Sequence, residues 1–346
     1  MEAEAAARLS EAQELHRRAF VADAHADSLM WNRDLARRCS SGHVDFPRLR
    51  EAGVKLQCFT LVTRGLPFIG GFPLFVAWRR WPAAARRGEW ARALWQIEQL
   101  ERYCRATGGQ VRLTDSAEAL RENRSAGRIS AVLGVEGAHA LEGQVDRVGE
   151  LWRRGARFMS LTHLSNNALG GSSFPGMGNR PLTRHGHDVL DEMARLGMAV
   201  DVAHASSRTL EDILAHPRAR PMCSHTGARA EGGGWRNLPD QALRRIADRG
   251  GVVGIIFATV YLGGRSADDV ARHVAHAVDV MGEDAVAFGS DFDGMVPLPN
   301  GMQDVTGLPL ITAALLQRRM PERLVEKIIG DNWRRFFTET LDGVPR

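Results

Sequence analysis

Along this chain, short runs of β-branched and apolar residues recur, each closing on polar residues and most followed by a stretch of helical spacing. The runs are residues 20–23, leading into His25; 54–59; 131–135, into Glu136; 157–161, into His163; 198–202, into His204; 221–223, into His225; 251–257; and 286–289, into Asp291. Between them Leu94, Ile97, Leu100 and Cys104 share one face of a 3.6-residue period, as do Val145, Val148 and Leu151. The same holds for Val189, Met193 and Leu196, and for Val270, Val274, Ala277, Val278 and Met281. Strand then helix, eight times over, predicts an α/β fold in which a parallel sheet closes into a (β/α)8 TIM-type barrel. From Asp27 to Asp291 the steps average about 38 residues, a comfortable size for such a unit.

The second unit alone is oversized, with 78 residues between Cys58 and Glu136. It contains residues 64–90, rich in Pro, Gly, Phe and Trp (LPFIGGFPLFVAWRRWP) and without a clean period of either kind. A rim insertion after strand 2 is the expectation. Either it overhangs the barrel mouth and narrows access, or it packs against the barrel or a second subunit. No internal repeat or low-complexity linker divides the chain, so residues 1–346 are expected to form one barrel domain.

With 44% hydrophobic and 25% charged residues, the composition excludes a disordered or fibrous chain. The net charge of +4 is spread among 41 acidic and 45 basic residues. No basic stripe marks a nucleic-acid partner, and the pairs Arg79-Arg80 and Arg86-Arg87 fit a solvated face. Cys39, Cys58, Cys104 and Cys223 have neither metal-knuckle nor disulfide-framework spacing, and reduced thiols point to the cytoplasm. The first 20 residues lack the apolar core of a signal peptide, and no apolar run is long enough to span a membrane.

His25, His163, His204 and His225 fall at the ends of predicted strands, joined by Asp27, Glu136 and Asp291. Loops after strand ends converge on one barrel mouth, so seven polar residues are aimed at one small volume. In His25-x-Asp27, strand alternation puts imidazole and carboxylate on the same face, able to share a metal. Imidazoles mixed with carboxylates suit Zn²⁺ or a similar divalent ion better than Ca²⁺ or Mg²⁺. The donors are too many for one tetrahedral site, whereas two metals sharing a carboxylate use them all and can together hold a hydroxide and polarise a carbonyl. Many binuclear barrel hydrolases bridge their metals with a carbamylated lysine. Here Lys327 lies in the terminal helical stretch and Lys55 at the start of a strand, so Glu136 is the natural bridge.

The segments GVEGAHAL (134–141), RFMSLTH (157–163), GMAVDVAHAS (197–206), CSHTGAR (223–229), RNLPD (236–240) and FGSDFDG (288–294) resemble the renal or membrane dipeptidase family, metallopeptidases of the amidohydrolase superfamily. The likeness runs from VADAHAD to DNWRRFF, nearly the whole chain. It implies two zinc ions per chain, one held by His25, Asp27 and Glu136, the other by Glu136, His204 and His225. It further implies that a metal-bridging hydroxide attacks, that His163 steadies the oxyanion, that Arg236 grips the substrate carboxylate and that Asp291 shuttles the proton. The implied substrate is a dipeptide with a free C-terminal carboxylate, a D-residue being tolerated there, and the implied assembly is a homodimer. The chain departs from the family pattern at HAD, commonly HND, and at LSNNALGGSS after SLTH, where a tryptophan and an acidic residue are usual. These positions bear on side-chain specificity and spare the metal ligands.

Two rival readings keep the barrel: another binuclear reaction on a lactone, nucleobase or other amide, or a metal-free binding scaffold. The glycine-rich 170–178 lacks the lysine of a phosphate loop, and Ser206-Ser207 lacks a nucleophile elbow.

Overall fold

The computed structural model describes residues 2–65, 71–232 and 234–342. Its strands are β1 (Val21–Asp23), β2 (Val54–Val62), β3 (Val111–Leu113), β4 (Ile129–Glu136), β5 (Ala156–Ser160), β6 (Ala199–Asp201), β7 (Pro221–Thr226), β8 (Val253–Ile255) and β9 (Val286–Phe288). All pairings between them are parallel, in the order β1-β2-β4-β5-β6-β7-β8-β9. The ends of that path meet: Ala24 N–H donates to Phe288 O at 3.3 Å and Asp27 N–H to Phe292 O at 2.8 Å. This is the expected eight-stranded barrel.

The ninth strand, β3, was not expected. It pairs with the lower half of β4, Val111 to Leu113 against Ile129 to Ala131, beneath the point where β5 takes over that edge at Leu133. Three residues after a glycine pair are too few to show a period.

Every residue of β4, and all but Lys55 of β2, is buried, because one face fills the barrel and the other lies under helices. Close packing inside relies on missing side chains. A Cβ on Gly134 would stand 2.1 Å from the Phe158 ring, which fills the space instead. Trp333, Phe336 and Phe337, on the helix Asn332–Asp342, join the same cluster as Phe158 and plug the base, with Trp333 Nε1 donating to Phe288 O at 2.7 Å.

The helices expected from the apolar period are present as Glu89–Ala106, Asp146–Arg153, Arg184–Leu196 and Ala267–Met281, burying Ile97, Val148, Val189 and Val274 among others. Within 64–90, Gly71–Trp78 is helical and Ala83–Arg86 forms a 3-10 turn, while residues 66–70 lie outside the described residues. The helix shows no period because Phe72, Leu74, Phe75, Val76 and Trp78 surround it with apolar side chains. Among the described residues no helix is long and apolar enough to cross a membrane.

Candidate metal centre

Glu136 is the last residue of β4, opposite Val62 of β2, and His225 lies within β7. His163, His204 and Asp291 each stand three residues beyond their strands β5, β6 and β9. The expected pleat geometry of His25 and Asp27 needs correction, since β1 ends at Asp23 and Asp27 already opens the 3-10 turn Ser28–Trp31. A single bridge, Ala26 to Phe292, keeps the path extended far enough for the pair to face the same way. All seven side chains are buried.

The four imidazoles converge on Glu136, while Asp27 and Asp291 gather with His25. Glu136 Oε1 lies 3.0 Å from His204 Nε2, 3.4 Å from His25 Nε2 and 3.5 Å from His225 Nε2, while Oε2 lies 3.5 Å from His163 Nε2. His25 Nε2 is also 3.3 Å from Asp27 Oδ1, and the Nε2 atoms of His204 and His225 are 3.1 Å apart. Lys55 is at the other end of β2, seven residues below the level of Glu136, or roughly 23 Å along a strand. Lys327 pairs with Glu283 and Asp284 instead. No lysine among the described residues can reach the cluster.

Sequence reasoning missed the layer beneath. Ser224 Oγ donates to Asp201 Oδ2 at 2.6 Å and lies 3.0 Å from His25 Nδ1 and 2.8 Å from His225 Nδ1. With its proton committed to the carboxylate, the hydroxyl has two lone pairs left, one for each ring N–H. That assigns the ring protons to Nδ1 and turns both Nε2 lone pairs toward Glu136. Thr60 likewise orients Asp27, donating to Oδ1 at 2.5 Å. His163 Nδ1 donates to Arg64 O at 2.9 Å, so its Nε2 bears a proton toward the cavity when the ring is cationic.

The electrostatics match a cation site. Burial pushes the Asp27 carboxyl above its ordinary range, and the nearby Glu136 carboxylate adds to this. Burial also raises Asp291, against the pull of His25 and Arg236. His204 and His225 are held well below the usual imidazole value by burial, then by the Arg236 charge. Burial would lower His25 too, but Glu136 and Asp27 overrule it and push it up to about 10, so positive charge is favoured at Nε2, whether as a proton or as a cation in its place. His25 Nε2, Glu136 Oε2 and His204 Nδ1 are buried without a hydrogen-bond partner. Three buried carboxylates among inward-facing lone pairs are costly unless cations sit between them. The donor set therefore fits divalent metal, and His25, Glu136 and His225 can offer ligand atoms within 4.8 Å of one another, as can Glu136, His163 and His204.

His204 and Asp291 hold φ of 64° and 65°, the left-handed region that side chains avoid, a local strain of the kind concentrated at working sites. Arg236 is buried beside the cluster. Its Nη2 donates to His225 O at 2.9 Å, its guanidinium stands 5.2 Å from the Tyr261 ring, and its Nη1 is 3.8 Å from Asp291 Oδ2. Nε has no partner. The guanidinium is thus anchored through Nη2, with Nη1 turned toward Asp291 and donor capacity left at Nε and Nη1. A cavity of about 300 Å³ joins Arg236 and Tyr261 to Glu136, His163, His204, His225 and Asp291.

Residues 9–342 match the model of the family described as membrane dipeptidase (peptidase family M19). The chain belongs to that family. Among relatives of this M19 member is dipeptidase verJ of Clonostachys rogersoniana, 34% identical over 236 residues, which are 67% of this chain and 60% of that protein. The aligned region thus spans under two thirds of the curated relative's length. A metallopeptidase from Rhodobacter sphaeroides, solved with a phosphinate mimic of the dipeptide L-Ala-D-Ala, is 29% identical with a TM-score of 0.82, covering 93% of this chain and 99% of its own. The solved metallopeptidase dipeptidase AC, also of family M19, is 28% identical with a TM-score of 0.81 over 93% of this chain and 99% of its own.

Proposed function

We propose that this M19 chain is a zinc-dependent dipeptidase that cleaves the peptide bond of dipeptides with a free C-terminal carboxylate, tolerating a D-residue at that position. The observation that carries the reading is Glu136, with four imidazoles within 3.0–3.5 Å, beside a buried arginine whose Nε makes no hydrogen bond. His25, Asp27 and Glu136 would hold one zinc ion, and Glu136, His204 and His225 the other. When bound, the pair supplies an activated water and polarises the scissile carbonyl.

The side chains do the rest. Arg236 takes the substrate carboxylate and so sets the peptide bond over Glu136. Asp291 accepts the proton of the attacking water and returns it to the leaving amine. His163 donates from Nε2 to the oxygen on which negative charge develops. The L-Ala-D-Ala mimic held by the Rhodobacter relative supports the tolerance for a D-residue. Residues 64–90 are a rim insertion within one barrel domain, in a protein that pairs as a homodimer.

Elemental analysis of the purified protein should find about two zinc equivalents, and L,L- and L,D-dipeptides should be hydrolysed. Turnover of lactones or nucleobases with no dipeptide cleaved would overturn the reading. Ser224→Ala removes the acceptor that both histidine rings share. Loss of such an outer partner should weaken metal binding about 10- to 100-fold in chelator competition. Unchanged affinity would show that Ser224 does not orient the ligands.

A further inference from the structure

The two sides of the cavity differ in chemistry. Its charged lining residues all belong to the cluster around Glu136, together with Arg236. Beyond these the described lining is apolar apart from Tyr261; Leu164 follows β5 and Met295 and Val296 follow β9, but the largest group is Met30, Val62, Phe72 and Phe75. Those four come from the loop after β1, the end of β2 and the helix Gly71–Trp78 that follows it. Arg236 follows β7. Around the ring β2 and β7 are four places apart in eight, so they face each other across the mouth. A two-residue substrate whose carboxylate sits on Arg236 and whose peptide bond lies over Glu136 directs its other end at the phenylalanines.

We propose that this wall is a subsite for a large apolar side chain on the amino-terminal residue of the dipeptide, with Phe72 and Phe75 as its specificity-determining residues. The proposal rests on the dipeptidase reading and names the substrate class within it.

The wall is built to hold its shape. Phe72 stacks on Phe75 with ring centres 5.4 Å apart and meets Trp81 edge-on at 6.0 Å, and Phe75 meets Trp31 edge-on at 5.5 Å. Hydrogen bonds tie the segment to the turn after β1: Trp81 Nε1 donates to Met30 O at 3.1 Å, Arg79 Nε to Trp31 O at 2.9 Å and Asn32 Nδ2 to Arg79 O at 2.9 Å. A preformed apolar surface rewards an apolar side chain in proportion to the area it covers and asks little reordering. A charged or hydrogen-bonding side chain would lose water there and find no partner on the phenylalanines.

The test is kcat/KM for a series of dipeptides sharing one C-terminal residue, with Ala, Ser, Leu, Phe, Glu or Lys at the amino-terminal position. Since one methylene in a fitted pocket discriminates about 10- to 200-fold, Leu and Phe should exceed Ala by about 10-fold or more, with Ser, Glu and Lys below Ala. In Phe75→Ala the Phe-to-Ala ratio should fall about 10-fold. Phe75 is half-buried on its helix, so Phe75→Glu is a second variant at a tolerant position. It should raise Lys relative to Phe by about 10-fold through the new charge. A flat wild-type series, or ratios unmoved in both variants, overturns the subsite and leaves the dipeptidase standing. Cleavage of no dipeptide in the series overturns both.

Discussion

Exchanging Glu136 for glutamine is expected to strip both metal equivalents and abolish dipeptide cleavage while the barrel stays folded. The amide matches the carboxylate in shape but carries no charge and presents an NH2 group to nitrogens whose lone pairs already point inward. Three Nε2 atoms lie within 3.5 Å of one Glu136 oxygen, and the fourth imidazole faces the other. A lost outer-layer partner costs about 10- to 100-fold in metal affinity, so removing the carboxylate itself should cost more than about 100-fold. Elemental analysis after dialysis and circular dichroism read the two halves of the expectation separately. A folded variant that keeps two equivalents and a rate within tenfold of the parent would show that the ions are not held through Glu136.

Arg236→Ala should leave metal content untouched and lower kcat/KM for dipeptides steeply. Cutting one member of a buried, charge-assisted pair costs about 2–5 kcal/mol, or about 30- to 5,000-fold in rate. The substrate itself provides the control. The parent enzyme should discriminate by a similar factor against dipeptides whose C-terminus is an amide, and the variant should no longer distinguish amide from acid. Arg236→Lys should recover little, because an ammonium cannot both bond His225 O and offer a second parallel donor pair. An unaffected rate in Arg236→Ala would remove its role in carboxylate binding.

The alternation of apolar runs with helical periods carried most of the fold, because a barrel strand buried on both faces must be apolar along its length. The cluster was legible for the same reason: a charged or imidazole residue directly after such a run has little choice but to face the mouth. What escaped was short or local. β3 is too brief for a period. The turn at Asp27 is set by tertiary contacts with the segment after β9. Ser224 and Asp201 are ordinary polar residues until the fold places one hydroxyl between two rings. In the structure Asp23 turns to Gln57 and Ser290, at 2.6 and 2.8 Å, and underpins the cluster without entering it.

The barrel closes where Asp27 bonds to Phe292, and this joins residues from opposite ends of synthesis. Glu136, His163, His204 and His225 lie on or just beyond the middle strands, whereas Asp291 meets His25 and Asp27 across the closing seam, once the last strand has docked. At ribosomal speeds of about 5–20 residues per second, that moment comes roughly 15–50 s after Asp27 is made. Until then the group formed by His25, Asp27 and Asp291 lacks its last carboxylate.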